Sequence, residues 1–263
     1  MVLELLQRVP VFVLVFFRLA GIAIFAPLFG SAMIPRRIKV MLILVLSMGV
    51  MSGVNPPLQM PATTWELTVG IAGEMVFGIA MGMVLSFVFI AAQWAGEIIG
   101  QQMGINLGAS FDPQFGGGGS LIGDLYFMLT LIVFLTIPVA MGGPGHHAML
   151  RGVRASFDAL PLLSIGMTAS LFDLIVGLFQ AATSLAIQLA APTLVTMLVV
   201  DLALGLIGKT MPQINVMSSG LSMRSAVGLV ILIVGLALSN DVIRTAMLES
   251  MEEVRVGWVT AGS

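Results

Sequence analysis

The sequence contains no cysteine and very little charge. Without cysteine the chain cannot form a disulfide, bind a metal through thiolates or use a thiol as a nucleophile. Charged residues occupy only 9% of its 263 positions and the net charge is -2, whereas a typical soluble domain carries about 25% charged residues. The chain also lacks the extended block of basic residues that binds a phosphate backbone. We therefore expect no nucleic-acid partner.

Catalytic and cofactor motifs are missing as well. No serine lies in a nucleophile elbow, and the glycine run Gly116–Gly119 is not followed by the lysine of a phosphate-binding loop. His146 and His147 are adjacent, so on a helix or strand they point in different directions and do not form the spaced pair that a metal site needs. We expect no enzyme, no cofactor and no metal. A metal-dependent membrane enzyme that uses the two histidines is the weakest alternative.

Long hydrophobic runs dominate the remainder of the sequence. Hydrophobic residues make up 58% of the chain, the mean hydropathy is +1.08, and a membrane-spanning helix needs about 20 apolar residues. The N-terminal run exceeds the apolar core of a signal peptide, so we expect it to be retained. We predict an all-α, polytopic membrane-type protein of about six hydrophobic segments, with kinked helices and helical hairpins. The six runs are Val9–Phe29, Val40–Val54, Leu67–Trp94, Leu125–Met141, Leu174–Val200 and Ser225–Ile243.

Two features disagree with six simple membrane spans. Val40–Val54 is short, and Leu174–Val200 contains Pro192, whose missing backbone donor should kink or break a helix. The positive-inside rule gives no orientation, because lysine and arginine divide evenly between the two sides. One side would carry Arg8, Arg151, Arg154, Arg244 and Arg255, and the other would carry Arg36, Arg37, Lys39, Lys209 and Arg224. We infer that the span count is wrong or that some hydrophobic helices pack against other proteins.

Small residues recur at intervals of four in two parts of the chain. One series is Gly96, Gly100, Gly104 and Gly108; the other is Gly70, Gly78, Gly82 and Ser86, with Glu74 in the missing place. Residues four apart share a helix face, and a row of small side chains lets another backbone approach closely. We predict close helix packing at Gly78, Gly82, Gly96, Gly100, Gly104 and Gly108, although glycine is also generally common in membrane helices.

Three ionisable residues, Arg18, Glu74 and Glu97, lie in or beside the apolar runs. A charge at the centre of a bilayer helix costs roughly 2.5 to 3.5 kcal/mol, so each should face protein, water or an opposite charge. One interpretation is a path for protons or solutes. The other is a buried interhelical ion pair, for example between Arg18 and Glu74, and the small number of charges favours the pair.

The stretch Gln101–Ser120 separates two apolar runs and contains the four consecutive glycines Gly116–Gly119. Four glycines in a helix cost roughly 4 kcal/mol relative to alanine. We expect Gln101–Gly108 to continue the glycine packing face and the helix to break after it, where an Asp-Pro pair favours a turn. Two phenylalanines in this stretch provide apolar side chains that an ordinary solvated linker lacks. A flexible surface loop is the alternative.

Short motifs in a fixed order along the chain resemble the FliR/SctT family of type III export-gate components. The resemblance spans nearly the whole chain, and the joint order of the motifs makes it specific. They are Arg18, Pro27-Leu28-Phe29-Gly30, Ile34-Pro35, Arg37-Ile38, Gly73-Glu74, Gly96-Glu97, Gly100-Gln101-Gln102-Met103-Gly104, Asp112-Pro113, His146-His147, Ser156-Phe157, Ala191-Pro192 and Pro212-Gln213-Ile214-Asn215-Val216.

This resemblance implies a non-enzymatic part of the flagellar protein export gate, in the bacterial inner membrane at the flagellar basal body. It implies a larger hetero-oligomeric assembly with FliP-like and FliQ-like subunits, beside FlhB-like and FlhA-like components. Membrane lipid and exported unfolded proteins would be further partners. The chain would consist of a FliP-like part, residues 1–170, and a FliQ-like helical hairpin part, residues 171–263.

The resemblance also implies a role for the central loop, about residues 105–123, as a plug in the closed channel. The plug residues would be Phe111, Asp112, Pro113, Phe115, Gly116, Gly117, Gly118 and Gly119. The main alternative function is a small secondary transporter or proton-conducting membrane subunit, with Arg18, Glu74 and Glu97 in the pathway.

Overall fold

A computed structural model describes residues 2–27, 34–54, 63–105, 120–136, 145–163, 169–211 and 216–261. All regular secondary structure in these residues is helical, which confirms the all-α prediction. The helices of the described residues are α1 Val2–Phe25, α2 Arg36–Met51, α3 Thr64–Gln102, α4 Leu121–Thr136, α5 Gly145–Ala159, α6 Ala169–Thr210 and α7 Val216–Ala261.

The described part of each of the six predicted hydrophobic runs lies mainly on a helix, because a helix satisfies its own backbone hydrogen bonds in apolar surroundings. Four stretches of the described residues are long and apolar enough to cross a membrane: Arg8–Phe25, Thr64–Val84, Val176–Thr210 and Gly220–Ser250. The helices α2 and α4 have 16 residues each, which corresponds to about 24 Å of helix against a hydrocarbon core of about 30 Å. Six hydrophobic segments are therefore present, but two of them are short for simple spans.

The helix α6 continues through Pro192 over a total of 42 residues, so of the expected kink or break the break does not occur. Proline removes a single backbone donor, and apolar helices tolerate that loss. One turn after the proline, Thr196 donates its hydroxyl to the Pro192 carbonyl over 2.8 Å.

The described chain forms two compact units, and the first comprises Met1–Phe87, Ile137–Phe179 and Leu248–Ser263. In this unit α1 and the first part of α3 run parallel, since Gly78 lies against the Arg18 carbonyl and Gly82 lies against the backbone of Ile22. The helix α2 packs on α1. The buried side chains of this unit include Leu14, Val15, Phe77, Val153 and Phe157.

The second unit comprises Val88–Thr136 and Gln180–Met247. Gly96 in α3 lies against the start of α4, where a Cβ at its position would be 2.5 Å from the Ile122 carbonyl oxygen. The Tyr126 hydroxyl of α4 is 3.3 Å from the Ser239 hydroxyl of α7. The two units do not follow the predicted division at residue 170, which concerns resemblance to other subunits and stays a prediction.

The close contact between α1 and α3 predicts a strong effect of Gly78→Ala. The added Cβ would overlap the Arg18 carbonyl oxygen and lie 3.0 Å from the Arg18 carbonyl carbon. These are backbone atoms, so α1 has to move, and overpacking of this kind costs typically about 1–3 kcal/mol. We expect a lower unfolding temperature for the detergent-purified variant.

Gly49→Ala and Gly152→Ala are matched controls, because a Cβ at either position meets no atom within 4 Å. Both glycines lie inside helices, where alanine is favoured by about 1 kcal/mol, so these variants should be as stable as the unaltered chain or more stable. Equal unfolding temperatures for Gly78→Ala and the two controls would contradict the close contact.

Candidate functional site

The first unit contains a buried ion pair between α1 and α3. The Arg18 Nε donates to the Glu74 Oε2 over 2.5 Å, and the side chains are 0% and 1% exposed. This agrees with the ion-pair interpretation of the two residues. Each charge supplies the partner that the other needs in an apolar interior, where an isolated charge is very costly.

Arg18 also holds the end of α5. Its Nη1 donates to the Ser156 carbonyl over 3.3 Å and to the Leu160 carbonyl over 3.1 Å. The carbonyls at the end of a helix carry partial negative charge. The Ser156 carbonyl also accepts the Leu160 N–H over 3.0 Å, so the guanidinium is a second donor there, and it favours the position of α5 beside α1.

Glu74 uses its second oxygen to hold the chain that follows α5. Its Oε1 accepts a hydrogen bond from the Leu163 backbone N–H over 3.0 Å. Leu163 has a φ of 67°, and its Cδ2 fills the space beside Gly70. Glu74, which takes the place of a small residue in the glycine series, is therefore the residue through which α3 binds the segment after α5.

Two aromatic rings enclose the Arg18 guanidinium. Its Cζ lies 5.0 Å from the centre of the Phe77 ring and 4.4 Å from the centre of the Phe157 ring. A cation within about 6 Å of a ring face is attracted to it. Arg18 Nη2 has no hydrogen-bond partner among the described residues.

The predicted packing glycines have different positions in the structure. Gly78 and Gly82 lie against the α1 backbone, and Gly96 lies against the start of α4. Gly100 is buried in the last turns of α3. Gly108 is outside the described residues.

Gly104 corrects the expectation that the packing face continues as helix to Gly108, because α3 ends at Gln102. Gly104 has a φ of 75° and donates its N–H to the Gln101 carbonyl over 3.1 Å, while Ile105 donates to the Gly100 carbonyl over 3.2 Å. This pair of bonds ends a helix at a left-handed residue, a position at which glycine is the usual choice.

The ion-pair site contains Arg18 and Glu74 of the three predicted buried charges. Glu97 is half-buried in the second unit, and its Cγ is 3.3 Å from the Cβ position of Gly123. The His146 and His147 rings lie 4.3 Å apart at the start of α5. Phe111, Asp112, Pro113, Phe115 and Gly116–Gly119 are outside the described residues.

Sequence reasoning missed the contribution of α5 to the site. Ser156 and Phe157 entered only as a motif, and Leu160 and Leu163 were not considered. The available signal was the spacing of Met149, Val153 and Phe157, which are four residues apart and all buried. That spacing indicates an amphipathic helix with one face packed on the unit.

Comparison with protein families identifies the chain. The family model for bacterial export proteins, family 1, matches residues 9–250. The chain belongs to this family.

Relatives from several bacteria are similar to this export protein over most of its length. The flagellar biosynthetic protein FliR of Bacillus subtilis is 28% identical, over 96% of each chain. FliR of Escherichia coli is 26% identical, over 78% of this chain and 76% of its own. The surface presentation of antigens protein SpaR of Shigella flexneri is 24% identical, over 84% of this chain and 82% of its own.

Arg18→Met tests the ion pair of this export protein. The substitution leaves the Glu74 carboxylate buried without its partner, and breaking a buried pair in this way costs about 3–5 kcal/mol. We expect a clear fall in the unfolding temperature and in the amount of chain found in membranes. Arg18→Met combined with Glu74→Leu removes both charges and should be more stable than Arg18→Met alone.

The reversed pair, Arg18→Glu with Glu74→Arg, separates charge attraction from the hydrogen bonds. A glutamate at position 18 cannot donate to Ser156 and Leu160, and an arginine at position 74 cannot accept from Leu163. We expect the reversed pair to remain well below the unaltered chain in unfolding temperature. Full recovery would show that the contacts with α5 and Leu163 contribute nothing.

Proposed function

We propose that this chain is a structural component of the flagellar type III protein export gate, in the bacterial inner membrane at the basal body. It forms and seals the channel for unfolded flagellar subunits together with FliP-like and FliQ-like proteins, beside FlhB-like and FlhA-like components. The observation that carries the proposal is the family match over residues 9–250, with a FliR relative that covers 96% of both chains.

The lengths of α6 and α7 support a larger assembly. Their apolar stretches have 35 and 31 residues, or roughly 52 and 46 Å of helix, whereas the hydrocarbon core is about 30 Å thick. Large apolar side chains remain exposed along both helices, among them Val195, Leu198, Leu206, Leu229 and Ile233. Lipid covers only part of such a length, so other protein subunits are the natural cover for the rest.

The fixed geometry of Arg18 and Glu74 supports a structural role over a transporter. Both charged groups form hydrogen bonds that hold α1, α3 and the segment after α5 together. A carrier of protons or solutes needs groups that can exchange their partners during the cycle. Energy for export would therefore come from other components of the apparatus.

The plug role is supported by the helix ends on both sides of the predicted plug residues. The helix α3 ends at Gln102 and is followed by Gly104 in the left-handed conformation, and Ser120 accepts the Gly123 N–H over 3.2 Å at the start of α4. A serine in this position caps a helix start. The sequence between these two caps contains the phenylalanines and glycines predicted for the plug.

Removal of Ser110 to Gly118 tests the plug. The deletion should give an assembled gate that leaks small ions, measured as conductance or as ion sensitivity of the producing cells. Replacement of Gly116–Gly119 by four serines is the matched control, since it keeps the loop length and both phenylalanines, and it should remain sealed. Unchanged ion permeability in the deletion variant would rule out the plug.

Purification in mild detergent tests the assembly. We expect the tagged chain to bring down FliP-like and FliQ-like subunits, and we expect the chain alone in liposomes to show no proton or solute flux. Flux through the isolated chain at a rate well above that of empty liposomes would favour the transporter alternative.

A further inference from the structure

The helix α2 begins with three basic residues that lack an acidic partner among the described residues. Arg36 and Arg37 are exposed, and Lys39 is half-buried. The first turn of α2 contains no acidic residue, and the ion pairs of the described residues involve other side chains. A helix start already carries partial positive charge, so basic side chains are disfavoured there. The stability of α2 therefore does not explain this cluster, whereas a bound anion would offset its repulsion.

The same helix carries a row of apolar side chains that the described part of the chain leaves uncovered. Met41, Val45 and Met48 are 67%, 68% and 65% exposed, and we call these three residues the apolar row. Their spacing places them on one helix face with Arg37. The helix packs on α1, and the buried Ile43 lies on the side away from the row.

The length of this face matches one leaflet of a bilayer. From Arg37 to Met48 the helix rises about 16 Å, and half of a hydrocarbon core of about 30 Å is about 15 Å. A cationic end and an apolar side of this length are the complement of a phospholipid, whose charged phosphate is covalently attached to acyl chains. A soluble anion would occupy the basic end and leave the apolar row uncovered.

We propose that the start of α2 is a binding site for an anionic phospholipid. Arg36 and Arg37 donate to the headgroup phosphate, since a guanidinium presents paired donors that match phosphate oxygens. Lys39 adds a third positive charge, and an acyl chain lies along the apolar row. The site selects anionic over zwitterionic lipid, because the ammonium group of a zwitterionic headgroup opposes the attraction.

This inference goes beyond the proposed gate function and does not depend on it, since it requires only that the chain lies in a membrane. Its test measures lipid binding and involves no export. A failure of either proposal therefore leaves the other standing.

Quenching by brominated lipid measures the site directly. Met41→Cys is introduced into the full-length chain, which has no cysteine of its own, and the thiol is labelled with bimane. The purified chain is placed in phosphatidylcholine vesicles that contain an equal fraction of either brominated phosphatidylglycerol or brominated phosphatidylcholine. We expect an at least fivefold higher relative affinity for phosphatidylglycerol, since one Lys or Arg near an anionic surface strengthens attraction by about this factor.

A second label controls for the general lipid environment. Val195→Cys places bimane on an apolar position of α6 that is 64% exposed. This position lies far along the sequence from the basic cluster and is not beside a basic residue in sequence. The two brominated lipids should quench this label equally.

Paired substitutions separate the site from the overall charge of the chain. Arg36→Gln with Arg37→Gln should bring the preference at position 41 close to one, whereas Arg36→Lys with Arg37→Lys should keep most of it because the charge remains. Lys209→Gln with Arg244→Gln is the matched control, because it also removes two exposed positive charges. It should leave the preference unchanged.

Three results would overturn the proposal. Equal quenching of the label at 41 by the two lipids would show that lipid covers this face without selection. Weak quenching by both would show that protein covers the face instead. A preference that survives Arg36→Gln with Arg37→Gln, or that falls equally in Lys209→Gln with Arg244→Gln, would show that the basic cluster is not its source.

Discussion

A charged side chain in the middle of an apolar helix must face water, polar protein groups or an opposite charge, and in the first unit an ion pair meets this requirement and organises the packing. Arg18 and Glu74 meet it because α1 and α3 approach closely enough for their backbones to touch at Gly78 and Gly82. The glycines and the ion pair depend on each other: a bulkier residue would separate the charges, and removal of one charge would leave the other buried alone.

The same pair determines how the rest of the unit is attached. A guanidinium has five donors and a carboxylate has two acceptor oxygens, so a single contact between them leaves groups that must be satisfied elsewhere. Arg18 uses them on the end of α5, and Glu74 uses its second oxygen on Leu163. The side chains of Arg18 and Glu74 thus join α1 and α3 to the segment after α5, which is more than 80 residues away from either residue in sequence.

The positions of the apolar helices were predictable from the sequence, because a long apolar run in lipid has to satisfy its own backbone hydrogen bonds, which a helix does. The pairing of Arg18 with Glu74 could also be predicted from the sequence, because the apolar runs contain few charged residues and each needs a polar partner. The buried face of α5 had a signal in the spacing of Met149, Val153 and Phe157. Its contacts with the ion pair had none, because backbone carbonyls and the Leu163 backbone N–H supply most of the contacts made by α5 and the segment after it. The rule that proline interrupts a helix did not predict the continuity of α6, which runs through Pro192.

The glycines show why a spacing of four residues alone could not predict the role of each residue in the series. At Gly78 the missing Cβ permits a helix contact, at Gly70 it makes room for the Leu163 side chain, and at Gly104 it permits a left-handed backbone that ends α3. All three positions fit intervals of four residues. A series of small residues therefore predicts that each position needs either space for a neighbouring group or a backbone conformation that only glycine adopts readily. The atoms that surround each glycine in the structure decide between these two roles. For this chain those atoms come from three different elements: the backbone of α1, the segment after α5, and the end of α3 itself.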